Sequence, residues 1–257
     1  MTDIYNPFSL LSALSTNELG LHWFGTGTPT WLLEQIKHYR FDITEMENIP
    51  TSASRFDKPA QQINDVVPVL YQSGYLTIKD FEKETRLYKL DFPNREVEEG
   101  FLDVLLKKFI TVPYDDIGLE INNLRVALRD KNLDRALNII KSAIADLPTV
   151  VKKDMCENYY ESVTHLMFRM TGWRVVSELQ NVCGRSDVVV TSKDSVFIFE
   201  LKMDKGRSFE EVAEEALVQI DANGYSQRFT VSGKKMYRVA LVFSSEGKGL
   251  LGWKAKE

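Results

Sequence analysis

The sequence predicts a mixed protein of the α+β or α/β class, with a helical N-terminal part and a C-terminal core in the order αβββαβ. Two observations support this prediction. Apolar side chains recur at helical spacing through much of residues 112–150. Two short apolar runs flank a turn within residues 184–202, which is the pattern of a β-hairpin. The 257 residues suffice for one large domain or two modest ones.

The composition is that of an ordinary globular protein, with 44% hydrophobic and 27% charged residues. No apolar run approaches the ~20 residues of a membrane span and no signal-peptide pattern opens the chain, so we expect a cytoplasmic protein without a membrane partner. Cys156 and Cys183 show no metal-ligand spacing, which suits a reducing compartment. The net charge of −5 argues against a non-specific binder of nucleic acid.

Residues 1–111 form the first predicted segment. Its predicted elements are a helix after Asn6-Pro7, a helix near 63–72, strands 75–78 and 87–90, and a helix over 96–109. A helix, a two-stranded wing and a second helix are typical of a winged-helix-like domain. Residues 1–150 hold 16 Lys and Arg against 22 Asp and Glu, which favours a protein partner or self-association through this domain. The glycines in WFGTGTP do not form a P-loop, because the required Lys is absent.

Residues 112–150 are predicted to be a helical connector. Their apolar positions fall into two helical sets on either side of Asp130-Lys131-Asn132, and Pro148 is expected to end the second helix. Charged residues fill the outer faces of both helices. We interpret this segment as scaffold without chemistry.

Residues 151–257 form the third predicted segment. Its predicted elements are a helix over 152–170, a strand over 173–179, strands 187–190 and 195–201 joined by the turn 191–194, a helix over 208–222 and a last strand over 237–243. Ser208 and Glu211 are spaced as a capping box at the start of the second helix. The run Val196–Phe199 is apolar on both faces, which indicates a strand covered on both sides.

The predicted hairpin brings two acidic side chains and one basic side chain together. If its turn is symmetric about Lys193-Asp194, Asp187 lies directly opposite Glu200, where like charges destabilise a sheet. Glu200 and Lys202 are two residues apart and therefore share one face of the strand. A divalent cation with oxygen ligands, Mg²⁺ or Mn²⁺, would neutralise the two carboxylates. The alternative is an ordinary solvated Glu and Lys at a strand end.

The pattern formed by Asp187 and the triplet Glu200-Leu201-Lys202 resembles the D…(D/E)xK signature of the PD-(D/E)XK nuclease superfamily. The αβββαβ order agrees with the restriction-endonuclease-like core of that superfamily. The resemblance implies metal-dependent hydrolysis of nucleic-acid phosphodiesters. Asp187 and Glu200 would be the ligands of Mg²⁺ or Mn²⁺, with the Leu201 carbonyl as a further ligand. Lys202 would hold and polarise the attacking water or stabilise the developing charge.

Further site residues are expected on the two helices of this segment. Glu157 stands ahead of an aromatic pair, Tyr159-Tyr160, and so matches a family Glu that serves as an outer metal ligand or organises water. Glu161, four residues later on the same helical face, is the alternative. Gln219 matches a family Gln that hydrogen-bonds water or phosphate.

Two residues outside these helices are assigned to contacts with nucleic acid, which we expect to be DNA. Arg185 could meet a phosphate as a fork, or face the turn. Tyr225 matches a family Tyr that supports the Gln. His165 lies on the first helix of the segment and is interpreted as packing or surface, because the three histidines show no ligand spacing.

The stretches YNPFSLL, WFGTGTPTWL, GYLTI and YKLDFPNREV also carry a resemblance, to a bacterial, Bacteroidetes-type family of AAA-ATPase-like proteins that end in a PD-(D/E)XK domain. The sequence has neither a Walker A motif nor a Walker B strand, so residues 1–111 would correspond to the lid-like part that follows the ATPase core. This departure keeps a second function open: a catalytically silent nuclease-fold module that serves a partner ATPase.

Overall fold

The structure is a computed structural model and describes residues 5, 7–18, 20, 22, 33–36, 46, 48–56, 65–109, 117–145, 157–177, 187–222 and 233–257. The chain divides into two compact units, Met1–Leu105 and Leu106–Glu257. Each unit combines helices with a β-sheet, so the predicted mixed class is confirmed. Among the described residues, no helix is long and apolar enough to cross a membrane.

The first unit builds a small antiparallel sheet beside several helices. Its elements are α1 (Pro7–Thr16), β1 (Ile49–Thr51), α2 (Ala53–Phe56), α3 (Val66–Gln72), β2 (Thr77–Glu82), β3 (Leu87–Asp91) and α4 (Arg95–Phe109), which continues past the unit boundary. The strand order is β1-β3-β2. The predicted two-stranded wing therefore has a third strand, and the winged-helix assignment stays a prediction. Asp65 caps α3 by accepting a hydrogen bond from the Val67 amide at 2.8 Å.

The second unit contains a five-stranded sheet with helices in the predicted order. Its elements are α5 (Ile117–Arg129), α6 (Leu133–Ala145), α7 (Glu157–Met170), β4 (Arg174–Ser177), β5 (Asp187–Thr191), β6 (Ser195–Met203), α8 (Phe209–Ala222), β7 (Lys235–Phe243) and β8 (Leu250–Lys256). The sheet order is β4-β5-β6-β7-β8, in which only β6 and β7 run parallel. Helices α5 and α6 of the predicted connector belong to this unit. Pro148 lies outside the described residues.

The prediction that β7 is the last strand is wrong, because β8 pairs antiparallel with it along Arg238–Phe243. The sequence of β8, LLGWKAK, is only weakly apolar, and its burial is confined largely to its first residue. A strand of this kind at the edge of a sheet needs little apolar patterning, because its partner strand holds it by backbone hydrogen bonds. Backbone hydrogen bonds do not depend on the side chains, so the sequence of β8 does not indicate a strand.

The strand β6 is the centre of the core. Val196, Phe197, Ile198 and Phe199 are all fully buried, so the predicted covering of both faces is confirmed. Val196 and Ile198 pack with β7 residues beneath α8, whereas Phe199 stacks on Phe168 of α7 at 4.5 Å between ring centroids. The predicted cap of α8 is present in part, since the Glu211 amide donates to Ser208 Oγ at 3.3 Å. The two helices therefore cover opposite faces of the sheet.

Gly252 of β8 marks a close contact between the sheet edge and α8. A Cβ atom at this position would lie 3.0 Å from Cε2 of Phe209. We expect Gly252→Ala to lower the free energy of unfolding by about 1–3 kcal/mol, because the ring is partly buried and must shift. The matched control is Gly118→Ala on α5, where a Cβ meets nothing within 4 Å and where Ala should be neutral or slightly stabilising. Equal urea midpoints for both variants would contradict the contact.

Candidate active site

The hairpin of β5 and β6 has the register that the sequence predicts. Asp187 is the Cα partner of Glu200, and the pairing continues through Thr191 opposite Val196. The turn is closed by a hydrogen bond from the Ser192 amide to the Ser195 carbonyl at 2.9 Å, and Ser192 Oγ accepts from the Ser195 amide at 3.0 Å. The description of Asp187 is confined to its backbone. The backbone position of one proposed ligand therefore lies directly opposite the other.

Glu200 and Lys202 form the best-defined part of the site. Glu200 is fully buried, and its Oε1 lies 2.9 Å from Nζ of Lys202, whose side chain is 17% exposed. The prediction that the two side chains share one face is confirmed. A carboxylate taken out of water is strongly destabilising unless a cation and hydrogen bonds compensate it. Lys202 therefore carries a structural role in addition to any chemical one.

Helix α8 covers the face of the sheet that carries this pair. Alternation along β6 puts Glu200 and Lys202 in the same row as Val196 and Ile198, which pack under α8. Glu215 of α8 has a lowered pKa, first because Arg207 donates a hydrogen bond to it and also because of the positive charge of Lys202. Glu215 is thus, beside Glu200, an acidic residue within electrostatic reach of Lys202.

The sequence reasoning missed Glu215, although a signal was available. Glu215 lies four residues before Gln219 and so shares a face of α8 with it. Gln219 is half-buried there. Glu215 could have been identified from this spacing of two polar residues on the helix that follows β6.

A clamp joins the two loops at the carboxyl ends of β6 and β7. Asp204 Oδ1 accepts hydrogen bonds from the backbone amide and the hydroxyl of Ser245, at 2.8 and 2.6 Å, and the Asp204 amide donates to the Phe243 carbonyl at 2.9 Å. The hydroxyl of Ser245 lowers the pKa of Asp204. Because Asp204 lies two residues beyond Lys202, this clamp restrains the strand end that carries the site.

Helix α7 approaches the same end of the sheet from the other face. Tyr160 stacks on Phe243 at 4.7 Å, and Phe243 is the partner of Met203 at the end of β6. The first turn of α7, which carries Glu157, therefore lies over the carboxyl ends of β6 and β7. Glu161 is buried, and of Glu157 only the backbone is described. Their convergence with Glu200 around a metal stays a prediction.

The structure does not test the other two predicted residues. Arg185 and Tyr225 lie outside the described residues. Within the described ranges, no group of three or more His, Cys, Asp or Glu side chains could hold a metal ion. Carboxylate oxygens suit a hard divalent cation; Glu200 is buried and the backbone of Asp187 lies opposite it, and their role as metal ligands stays a prediction.

His165 packs inside the second unit, as one of its two predicted roles requires. It is 2% exposed, and burial together with the nearby charge of Arg169 lowers its pKa from 6.5 to about 3. The unfolded chain therefore binds a proton below pH 6.5 that the folded chain takes up only near pH 3. The free energy of unfolding contributed by this group is constant above pH 6.5 and falls as the pH drops toward 3.

We expect the free energy of unfolding to fall less steeply with decreasing pH in His165→Gln than in the native chain. The difference between the two slopes should be at most about 1.4 kcal/mol for each pH unit below 6.5. The measurement is urea denaturation of wild type and variant at pH 7, 6 and 5. The comparison cancels the carboxylates, which titrate in both proteins. Parallel curves for the two proteins would show that His165 has the same pKa in the folded and unfolded chain and would overturn the assignment.

Comparison with known proteins supports a class for the part of the second unit from α7 to β8. Residues 155–252 match the family model described as the PD-(D/E)XK nuclease superfamily. The match runs from the start of α7 into β8 and includes Asp187, Glu200 and Lys202. It supports the superfamily, and with it the nuclease class and a hydrolase, for this segment. The assignment to the AAA-ATPase-like family stays a prediction.

A similarity also extends over nearly the whole chain. Over 258 residues the chain is 25% identical to the "Uncharacterized protein in vnfD 5'region" of Azotobacter chroococcum mcd 1. The alignment covers 97% of this chain and 49% of the relative, so the chain spans about half the length of that protein. No solved structure matches the chain.

Proposed function

We propose that the chain is a metal-dependent nuclease that hydrolyses phosphodiester bonds of nucleic acid, with DNA as the first candidate substrate. The observation that carries this proposal is the fully buried Glu200, in register with Asp187 and 2.9 Å from Lys202. The match of residues 155–252 to the nuclease superfamily supports it. A charged pair is seldom placed at a buried strand end for stability alone, because a hydrophobic pair there is often at least as stable.

In this proposal Asp187 and Glu200 hold Mg²⁺ or Mn²⁺, and Glu157 or Glu161 adds an outer ligand. The bound cation would supply Lewis-acid chemistry, polarising the phosphoryl group and lowering the pKa of a bound water. Lys202, fixed by its ion pair with Glu200, orients the attacking water and offers a positive charge to the phosphoryl oxygens. Water adds to phosphorus and loses a proton to the solvent, the P–O bond to the leaving sugar breaks, and the leaving oxygen takes up a proton from the solvent.

Four further residues have supporting parts in this proposal. The carbonyl of Leu201 provides an additional oxygen ligand, and Gln219 hydrogen-bonds the water or a phosphate oxygen. Arg185 contacts a phosphate of the nucleic acid, and Tyr225 contacts the nucleic acid and supports Gln219. We place the activity in the cytoplasm.

One observation favours the second candidate function, a catalytically silent module that serves a partner ATPase. The ammonium of Lys202 lies 2.9 Å from the buried carboxylate of Glu200 and compensates its charge. When the buried charge is compensated within the protein, the fold can stay stable even if catalytic activity is lost. The N-terminal unit would then supply the contact with a protein partner, or with a second copy of the chain.

Incubation of the chain with plasmid DNA, single-stranded DNA and RNA distinguishes the two functions. A nuclease should cleave at least one substrate with Mg²⁺ or Mn²⁺ and stop when EDTA is added. Intact substrates with both metals would leave the silent module as the better proposal. The same assay with Glu200→Gln excludes a contaminating nuclease, because the variant should be inactive after identical purification.

Metal binding can be tested without catalysis. We expect Mg²⁺ or Mn²⁺ at about 100 times its Kd to stabilise the folded chain by about 2.7 kcal/mol, measured as a rise in the melting temperature. Asp187→Asn should remove most of this rise, because it deletes one of two proposed ligands. Glu84→Gln, an exposed carboxylate in the turn between β2 and β3, is the control and should keep the rise. An undiminished rise in Asp187→Asn would exclude Asp187 as a ligand.

A further inference from the structure

A groove lies at the end of the five-stranded sheet that is remote from Glu200. It has a volume of about 510 Å³ and is formed by one face of α5, the start of β4 and the hairpin turn between β5 and β6. Its lining includes Trp173, which is half-buried with its ring against Phe197 at 6.4 Å between centroids. All of these elements belong to the second unit, and none of them takes part in the proposed cleavage.

The charged side chains that line the groove are mainly basic. The cationic ones are Arg125, Arg129, Arg174 and Lys193, and the acidic one is Asp194. Asp194 forms an ion pair with Lys131 at the edge of the groove, so its negative charge is compensated there. Arg174 and Lys193 are exposed. This concentration of positive charge stands out in a chain of net charge −5.

Helix α5 carries two arginines on the face that lines the groove. Its inner face consists of buried apolar residues, among them Ile121 and Leu124. Arg125 and Arg129 are four residues apart on the face toward the groove, where like charges repel. Arg125 Nε donates to the Thr171 carbonyl at 2.6 Å, which fixes its guanidinium, and Arg129 pairs with Asp130 at 2.8 Å. A guanidinium that is held through Nε, as that of Arg125 is, is suited to bind phosphate oxygens, whereas Nε and Nη2 of Arg129 are already engaged by Asp130.

We propose that this groove binds the phosphodiester backbone of nucleic acid at a second point, away from the cleavage site. The identity of the ligand rests on the proposed nuclease function, but the groove itself does not. Thr191 lines the groove and is four residues from Asp187 on the same strand, a separation of about 14 Å. That separation corresponds to about four steps of a DNA duplex. A nucleic acid held in the groove would thus be anchored a few nucleotides from the scissile phosphate.

The test is equilibrium binding in EDTA, in which cleavage cannot occur. Fluorescence anisotropy of the full chain with a labelled 20-base-pair DNA, and with the corresponding single strand, is recorded at several salt concentrations. The test variant is Arg174→Glu with Lys193→Glu. The control is Lys83→Glu with Lys141→Glu, which changes the net charge equally at exposed positions outside the groove.

We expect the test variant to bind at least about tenfold more weakly and to lose about 2 from the slope of log K against log salt, one for each phosphate contact. The control should stay within about twofold of the native chain. If both variants bound equally weakly, the effect would come from net charge alone and the proposal would be overturned. Unchanged binding by the test variant, or no binding by the native chain, would also overturn it.

The outcomes separate this proposal from the proposed function. Native binding that the test variant loses supports the groove, even if no metal-dependent cleavage is found. Metal-dependent cleavage and binding that survive unchanged in the test variant overturn the groove and leave the nuclease function standing. Circular dichroism of the two variants confirms that the exposed substitutions leave the fold intact.

Discussion

Replacement of Lys202 by Met should lower the rate of metal-dependent cleavage by about 10²–10³-fold, the loss typical of one preorganised charge at a reacting centre. The aliphatic stem is retained, so the change removes mainly the ammonium. Binding of Mg²⁺ or Mn²⁺ should persist or strengthen, because a positive charge next to the ligand Glu200 has gone. The expected signature is a protein that binds the metal and does not cleave.

The structure alters what this variant should do to stability. A lysine at a strand end would contribute little to folding. Lys202 is instead 2.9 Å from a carboxylate that is fully buried. Loss of one partner of a buried pair costs about 3 kcal/mol, so the metal-free variant should be clearly less stable than the native chain. A bound divalent cation should restore much of this loss, because it compensates the same carboxylate.

Two measurements made side by side test this expectation, plasmid nicking and thermal unfolding, each with and without divalent cation. Lys205→Met is the control, since Lys205 is exposed three residues further along and should change neither property appreciably. Nicking at the native rate by Lys202→Met would remove this lysine from the mechanism. Native stability of the metal-free variant would show that the ion pair with Glu200 is not what compensates the carboxylate.

Truncation of Phe199 should be the most destabilising single change in the core of the second unit. Phe199 is fully buried in β6, with its ring 4.5 Å from that of Phe168 and 6.3 Å from that of Phe197. Phe199→Ala leaves a cavity between the sheet and α7, and such changes lower the free energy of unfolding by about 3–5 kcal/mol. Since Glu200 follows directly in the strand, the variant should also lose metal binding.

Urea denaturation measures this loss. The control is Val218→Ala on α8, an apolar side chain that is 60% exposed and should shift the midpoint hardly at all. If the two variants shifted the unfolding of the second unit equally, β6 would not be the central strand of the core. A large shift for Phe199→Ala alone confirms the packing of α7 on this face.

The hairpin could be predicted because its information is local. The turn residues Ser192 to Asp194 and the apolar runs that flank them specify the register without reference to the rest of the chain. The opposition of Asp187 and Glu200 follows from that register, as does the shared face of Glu200 and Lys202. The order of the helices and of the first four strands of the sheet also followed from periodicity, to within a few residues at each end.

Other features are decided only by the tertiary structure, because they join segments far apart in the chain. Three features are of this kind: the pairing of β8 with β7, the third strand of the N-terminal sheet, and the packing of α7 and α8 on opposite faces of the second sheet. Each depends on which edges and faces of the sheets the other elements leave exposed.

The same reason applies to the two functional regions. The charge of Lys202 acts on Glu215 only because α8 packs over β6. The basic groove exists only because α5 packs beside the hairpin turn that follows it by more than sixty residues. Local pattern therefore determined the E-x-K hairpin, whereas packing decided how deeply its carboxylate is buried and which charges surround it.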